Sequence, residues 1–147
     1  MKIINETNIS FMSKSNNESF ARSVVSAFVL QLDPTITELA DIKTAVSEAV
    51  TNCIVHAYKY EMGTIYITVR IIEGGKIQIK IRDKGCGIEN IHEAMEPLFT
   101  TMGGERAGLG FAVMQSFMDK IRVNSKVGKG TTITMEKSII RRAKNNE

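Results

Sequence analysis

The sequence predicts an α/β fold of the two-layer sandwich type, with helices on one face of a sheet. Three observations carry that expectation. Residues 36–58 repeat apolar side chains at helical spacing: Leu39, Ile42, Val46, Ala49, Val50, Cys53, Ile54 and Ala57. Two later runs change to a period of two. Ile65, Ile67, Val69 and Ile71 alternate with Thr64, Tyr66, Thr68 and Arg70, and Ile77, Ile79 and Ile81 alternate with Lys76, Gln78 and Lys80. One face of each run is aliphatic and the other polar, so the sheet is covered on one side only.

The elements follow in order. Residues 8–13 alternate around Ile9 and Phe11 and predict a short strand at a sheet edge. Ser15-Asn16-Asn17 offers an N-cap to a first helix, with Glu18 in its first turn. Phe20, Val24, Ala27, Phe28 and Leu32 form its expected apolar face, which leaves Arg22 on another. Asp33-Pro34 ends that helix. Thr35-Ile36-Thr37-Glu38 fits a capping box and opens the second helix, expected to reach about Tyr58. Gly74-Gly75 suits a two-residue hairpin turn between the alternating runs. Ile91 to Met95 fits a short helix, and the segment up to Ala107 keeps no steady period. A third helix carries Phe111, Val113, Met114, Phe117 and Met118. Strands around Ile121 to Val123 and over residues 131–135 flank the turn Gly128-Lys129-Gly130.

The 147 residues suit one domain over 1–140, with a basic tail at 141–147 expected to be disordered. The chain is 43% hydrophobic and carries a net charge of +3, with much of the excess in that tail. So mild a charge gives no ground for direct nucleic-acid binding. Cys53 and Cys86 lack a CxxC spacing, which argues against zinc and against a disulfide framework. No apolar run reaches membrane-spanning length, and the expected compartment is a reducing cytoplasm.

Three short patterns carry chemistry. Glu48, Asn52 and His56 stand at i, i+4 and i+8, so an acid, an amide and an imidazole line one edge of the second helix. Asp83-x-Gly85-x-Gly87 ends a hydrophobic strand, where a carboxylate can accept from an exocyclic amine and glycines leave room for a flat ring. Gly108-Leu109-Gly110 opens a helix, and bare N–H groups at such a start favour an anion. Singly, these read as a solvated helix face, a polar turn and a helix start. Cys86 reads as a small filler rather than a nucleophile, since no cationic partner is evident to lower its pKa. No P-loop or Rossmann fingerprint is present.

Together and in this order the patterns resemble a family. Glu48-x-x-x-Asn52 resembles the N box of the GHKL ATPases and kinases, Asp83-x-Gly85-x-Gly87 their G1 box and Gly108-x-Gly110 their G2 box. Gly130-Thr131-Thr132 resembles the threonine strand that closes the adenine pocket. The fold implied is the Bergerat α/β sandwich, with a mixed, mostly antiparallel sheet, over nearly the whole chain. Within the family the chain is most similar to the small anti-sigma kinases of endospore-forming bacteria, through Asn17 to Arg22, Leu32 to Thr35 and Pro97 to Thr101.

The resemblance implies ATP and Mg²⁺ as cofactors. Glu48 would be the general base, Asn52 would hold Mg²⁺, and Asp83 would bind the adenine amine with Thr131 or Thr132 assisting through water. Gly85 belongs to the same loop, and Gly87 would pass close to the base. Residues from about Asn90 to Ala107 would form an ATP lid carrying Thr100 and Thr101. Gly108 and Gly110 would donate to the phosphates, and Arg106 or Lys84 are candidate cations. His56 is assigned a packing or supporting role. The implied function is that of an anti-sigma factor and protein-serine kinase. Its partners would be a sigma factor and an anti-anti-sigma substrate, and it would form a homodimer. Arg22 is the candidate for a surface shared by both protein partners.

Four alternatives compete. A stress-pathway anti-sigma kinase fits the same motifs. The catalytic domain of a histidine kinase would work with a helical hairpin bearing a phospho-acceptor His, a pattern this sequence lacks, since His92 follows the glycine loop. A gyrase- or chaperone-type ATPase couples hydrolysis to further domains. A nucleotide-gated binder without catalysis would have no use for Glu48.

Overall fold

The computed structural model describes residues 2–95 and 110–139. Strand β1 (Ile3–Met12) leads into α1 (Asn17–Val29), a 3-10 turn (Leu30–Leu32) and α2 (Ile36–Thr51), which continues as a π-helical turn (Asn52–Ala57). Strands β2 (Thr64–Ile72) and β3 (Lys76–Asp83) precede two short helices, α3 (Ile91–Ala94) and α4 (Phe111–Phe117). Strands β4 (Lys120–Lys126) and β5 (Gly130–Ser138) follow. The strands form one sheet in the order β1-β2-β3-β5-β4, and all four pairings are antiparallel. The expected sandwich is thus present. The tail at 141–147 lies outside the described residues.

The aliphatic face is the core. Ile65, Ile67, Val69, Ile71, Ile77, Ile79 and Ile81 are buried, as are Ile42, Ala45, Val46, Ala49 and Val50 of α2 above them. The opposite sheet face carries half-buried Thr68, Arg70, Gln78 and Lys80. Ile79 lies mid-sheet between Val69 and Met135 and is 0% exposed. Ile79→Ala is expected to cost about 2–5 kcal/mol, because the lost transfer energy and the residual cavity add. Urea unfolding would show this as a lower midpoint with an unchanged slope.

Helix α2 starts as expected. Thr35 Oγ1 accepts from Glu38 N at 3.0 Å, and Thr35 N donates to Glu38 Oε1 at 2.8 Å. Its end differs: the last turn, from Asn52, widens to π geometry instead of continuing as α-helix to Tyr58. Such widenings re-aim side chains and favour functional sites.

Other expectations are corrected. Helix α1 buries Ala21, Val25 and Val29, not the set led by Phe20 and Ala27. Phe20 is 47% exposed, and its ring meets Phe11 edge-on at 5.9 Å. The buried face is turned by one residue from the expected one, and it is with this face that α1 joins the core shared with α2. Val24, Phe28 and Leu32 are left half-buried. The side-chain cap offered by Ser15 to Asn17 is not made; Asn17 Nδ2 donates to Met12 O at 2.9 Å instead. Strand β1 is at the edge as expected but begins at Ile3. Its first half has no inward alternation and is held by the backbone ladder and by cross-strand pairs such as Arg70 Nε to Glu6 Oε1 at 2.8 Å. The hairpin loop has three residues, since Ile72 pairs with Lys76 and leaves Glu73, Gly74 and Gly75 outside the ladder.

Candidate functional site

The C-terminal end of β3, the start of β5 and the π turn after α2 meet around one cleft of about 160 Å³. Asn52, His56, Ala57 and Lys59 line one side of it, and Asp83, Cys86, Gly87 and Ile88 another. Phe111, Thr131 and Ile133 complete the wall. Ladder register explains why Asp83 and Thr131 meet: they are direct partners in the β3–β5 pairing. Thr131 is buried and faces the cleft, whereas Thr132 pairs with Arg82 and Asn124 on the other face of the sheet. Of the two candidate threonines, only Thr131 is brought to the site.

Asp83 is 5% exposed. Its Oδ1 accepts from Gly85 N at 2.9 Å and from Thr131 N at 3.1 Å. Its Oδ2 accepts from Cys53 Sγ at 3.5 Å. Burial pushes the Asp83 carboxyl above its ordinary value, and these three donors partly offset the effect. The same burial, reinforced by the Asp83 charge, pushes the Cys53 thiol well up, so it stays a protonated donor.

The loop after Asp83 is pinned on several sides. Cys86 N donates to Ala57 O at 3.1 Å, Lys84 N to Tyr58 Oη at 2.6 Å, and Gly128 N to Cys86 O at 2.8 Å. Ile88 N donates to Ser125 Oγ at 2.7 Å. Gly85 serves this docking. A Cβ on Gly85 would overlap the carbonyl of Ala57, so Gly85 is needed for the loop to close on the π turn. Gly87 does line the cleft, at φ +80.

Glu48, one turn before Asn52, leaves the cleft. It lines an adjoining hollow with Arg22, Lys43, Thr44 and Ser47. Gly110, at φ +69, caps α4 directly against it; a Cβ there would overlap the Glu48 carboxylate. Burial first, and then the charge of Glu18, raises the Glu48 pKa. Glu18 accepts from Ser47 Oγ and pairs with Arg22 Nε at 3.2 Å. The sequence stripe of Glu48, Asn52 and His56 therefore divides between two concavities: Asn52, 7% exposed, and His56 line the cleft, and Glu48 lines the hollow.

Not every candidate gathers here. Lys84 stands over the Tyr66 ring, 5.3 Å from its centroid, on the polar side of the sheet. Thr100, Thr101, Arg106 and Gly108 lie outside the described residues, as does the lid segment from residue 96 to Ala107. Cleft residues that the motifs missed are Lys59, Ile88 and Phe111. Phe111 reads in the sequence as one of the apolar residues of the third helix, and neither Ile88 nor Lys59 falls within a motif. Cys53 hid inside the apolar stripe of its helix.

Comparison with known proteins agrees with this geometry. Residues 12–137 match the histidine kinase-like ATPase domain family. An anti-sigma F factor from a Thermoanaerobacter species is 59% identical over 140 residues, covering 95% of this chain and 97% of the relative. One from Anoxybacillus flavithermus is 53% identical, covering 92% and 93%. Among solved structures, the RsbU and RsbW domains of a Mycobacterium tuberculosis protein superpose with a TM-score of 0.68 at 18% identity, over 92% of this chain and 32% of that one. The catalytic domain of the histidine kinase ThkA gives a TM-score of 0.56 at 16% identity, over 92% and 97%. These two likenesses bear on the fold alone. With the fold, the Asp83 cleft and these relatives in agreement, the chain belongs to the anti-sigma F factor group of the histidine kinase-like ATPase domain family.

Proposed function

We propose that the chain binds ATP with Mg²⁺ in the Asp83 cleft, holds a sporulation sigma factor of the sigma F type, and phosphorylates a serine of an anti-anti-sigma protein. The sigma factor is suggested by the names of the relatives. The observation that carries the kinase reading is Glu48: a half-buried carboxylate of raised pKa, one turn from Asn52, facing a hollow beside the cleft.

The residues fit the cofactors. Asp83 Oδ1 is committed to two backbone donors, which leaves Oδ2, with its weak thiol donor, to accept an adenine amine. Thr131 supports the base from the same wall. Among the described residues no group of three His, Cys, Asp or Glu could hold a metal. That suits Mg²⁺, which takes most of its oxygens from phosphates and water and here needs only the Asn52 amide. The metal would neutralise triphosphate charge. Glu48 takes the proton from the serine hydroxyl as its oxygen bonds the γ-phosphorus. The bond from that phosphorus to the bridging oxygen breaks, and ADP leaves. Lys59 supplies a cation at the cleft wall.

The hollow at Glu48 is where an acceptor serine would enter, and Arg22 lines it. Arg22 would then belong to a surface used by both protein partners, so their binding would be mutually exclusive. The free edge of β1 suits a homodimer. Arg22→Glu tests the shared surface. It removes the Arg22–Glu18 pair and places an acid four residues from Glu18, a local cost of about 0.4–1 kcal/mol in all. Pull-downs with each partner in Mg-ATP should show both complexes weakened at least roughly ten-fold, the loss of a charged interface anchor, with ATP binding intact. Retention of both at wild-type strength would refute the shared surface.

A further inference from the structure

Resting on the ATP reading of the cleft, we infer that Cys53 is a positioning residue for base selection: its thiol orients Asp83 so that Oδ2 meets the 6-amino group of a purine. Cys53 is 1% exposed and is not among the cleft-lining residues, so it acts through Asp83. The two backbone donors hold Oδ1 alone, and a carboxylate held at one oxygen can still swing the other. The thiol at 3.5 Å from Oδ2 fixes that second oxygen. The π turn makes the contact possible. It widens at Asn52, sends Asn52 to the cleft, and turns the next side chain beneath the strand end that carries Asp83. One residue thus faces the ligand and its neighbour braces the carboxylate that would read the base. A carboxylate oxygen has lone pairs for both the thiol and an amine.

A brace and a filler of space differ in what they discriminate. The probe pair is ATP and purine riboside triphosphate, which lacks only the 6-amino group. Binding of each should be titrated against wild type, Cys53→Ala, Cys53→Val, Cys53→Ser and Asp83→Asn. Loss of a weak donor to a carboxylate should reduce ATP affinity roughly five-fold in Cys53→Ala, with purine riboside triphosphate unchanged. Cys53→Val fills the space without a donor and should show the same selective loss. Cys53→Ser restores a donor and should restore the preference for ATP. The comparison is a cycle between side chain and ligand group, so only their coupling survives the subtraction. Equal losses for both nucleotides in the Ala and Val variants, or no loss in either, would overturn the inference. If Asp83→Asn removes the preference while the Cys53 variants keep it, the ATP reading stands and the brace is wrong. If Asp83→Asn keeps the preference, the ATP reading itself fails and the inference falls with it.

Discussion

Asp83→Asn is expected to weaken ATP binding by about 1–3 kcal/mol, roughly five- to 150-fold, while the fold survives. The amide oxygen can keep the place of Oδ1 and still accept from Gly85 N and Thr131 N. The amide nitrogen then falls where Oδ2 was and presents a donor to an adenine amine, which is also a donor. Two buried donors facing each other forfeit the hydrogen bond and leave both groups unsatisfied. The neutral amide loses the thiol donor at Oδ2 but also removes a charge that burial disfavours, so the two effects offset and the fold should survive. Calorimetric titration with Mg-ATP, beside urea unfolding, separates affinity from stability. Unchanged affinity would remove Asp83 from the nucleotide site.

Glu48→Gln should separate binding from chemistry. The amide matches the carboxylate in size and can sit against Gly110 in the same way, so ATP affinity should be preserved. It cannot take a proton, and phosphoryl transfer should fall by roughly 10²–10⁴-fold. The pH dependence follows from the raised Glu48 pKa. A base must be ionised, so the rate is lost as pH falls through that pKa, and this acidic limb should lie above the range of an ordinary glutamate. The limb should vanish in Glu48→Gln. For folding, the same burial has the opposite sign. This contribution is present below the unfolded-state pKa and is lost as pH rises through the folded one. Single-turnover kinetics across pH, with ATP affinity and urea unfolding measured in parallel, would check both statements. Wild-type transfer by the Gln variant would exclude Glu48 as the base.

What was legible in the sequence was local. The Thr35–Glu38 capping box, the alternation of β2 and β3 and the apolar stripe of α2 each depend on residues a few positions apart. The architecture follows from them. Helix α1 shows where local reasoning stops. Phe20, Val24 and Phe28 share a helical period, and so do Ala21, Val25 and Val29. Hydrophobicity favours the bulkier set, yet the smaller one is buried in the core shared with α2, a choice that depends on tertiary packing and not on the period. The first half of β1 left no pattern because an exposed edge strand is held by its ladder.

The site divides in the same way. Residue types and order pointed to Asp83, Asn52 and Glu48, because a carboxylate at a strand end and an acid-amide pair on one helix edge are themselves chemical statements. The choice between Thr131 and Thr132 required the ladder register. The true constraint on Gly85 is the carbonyl of Ala57, nearly thirty residues away, which no local pattern contains. Lys84 follows Asp83 in sequence but sits on the other side of the sheet. Cys53 was read as one more apolar residue, because nothing in a helical period shows that a thiol will lie against a carboxylate thirty residues on.

The proposed kinase reading requires that the γ-phosphoryl group of ATP pass from this cleft to a protein serine. Its most direct measurement is one time course with γ-labelled ATP, Mg²⁺, this chain and the anti-anti-sigma protein, resolving label on protein from label released as inorganic phosphate. The account predicts label on a single serine of the acceptor, accumulating in step with ADP, absent without Mg²⁺ and reduced roughly 10²–10⁴-fold with Glu48→Gln. Label released only as inorganic phosphate, or none released although ATP binds, would contradict it.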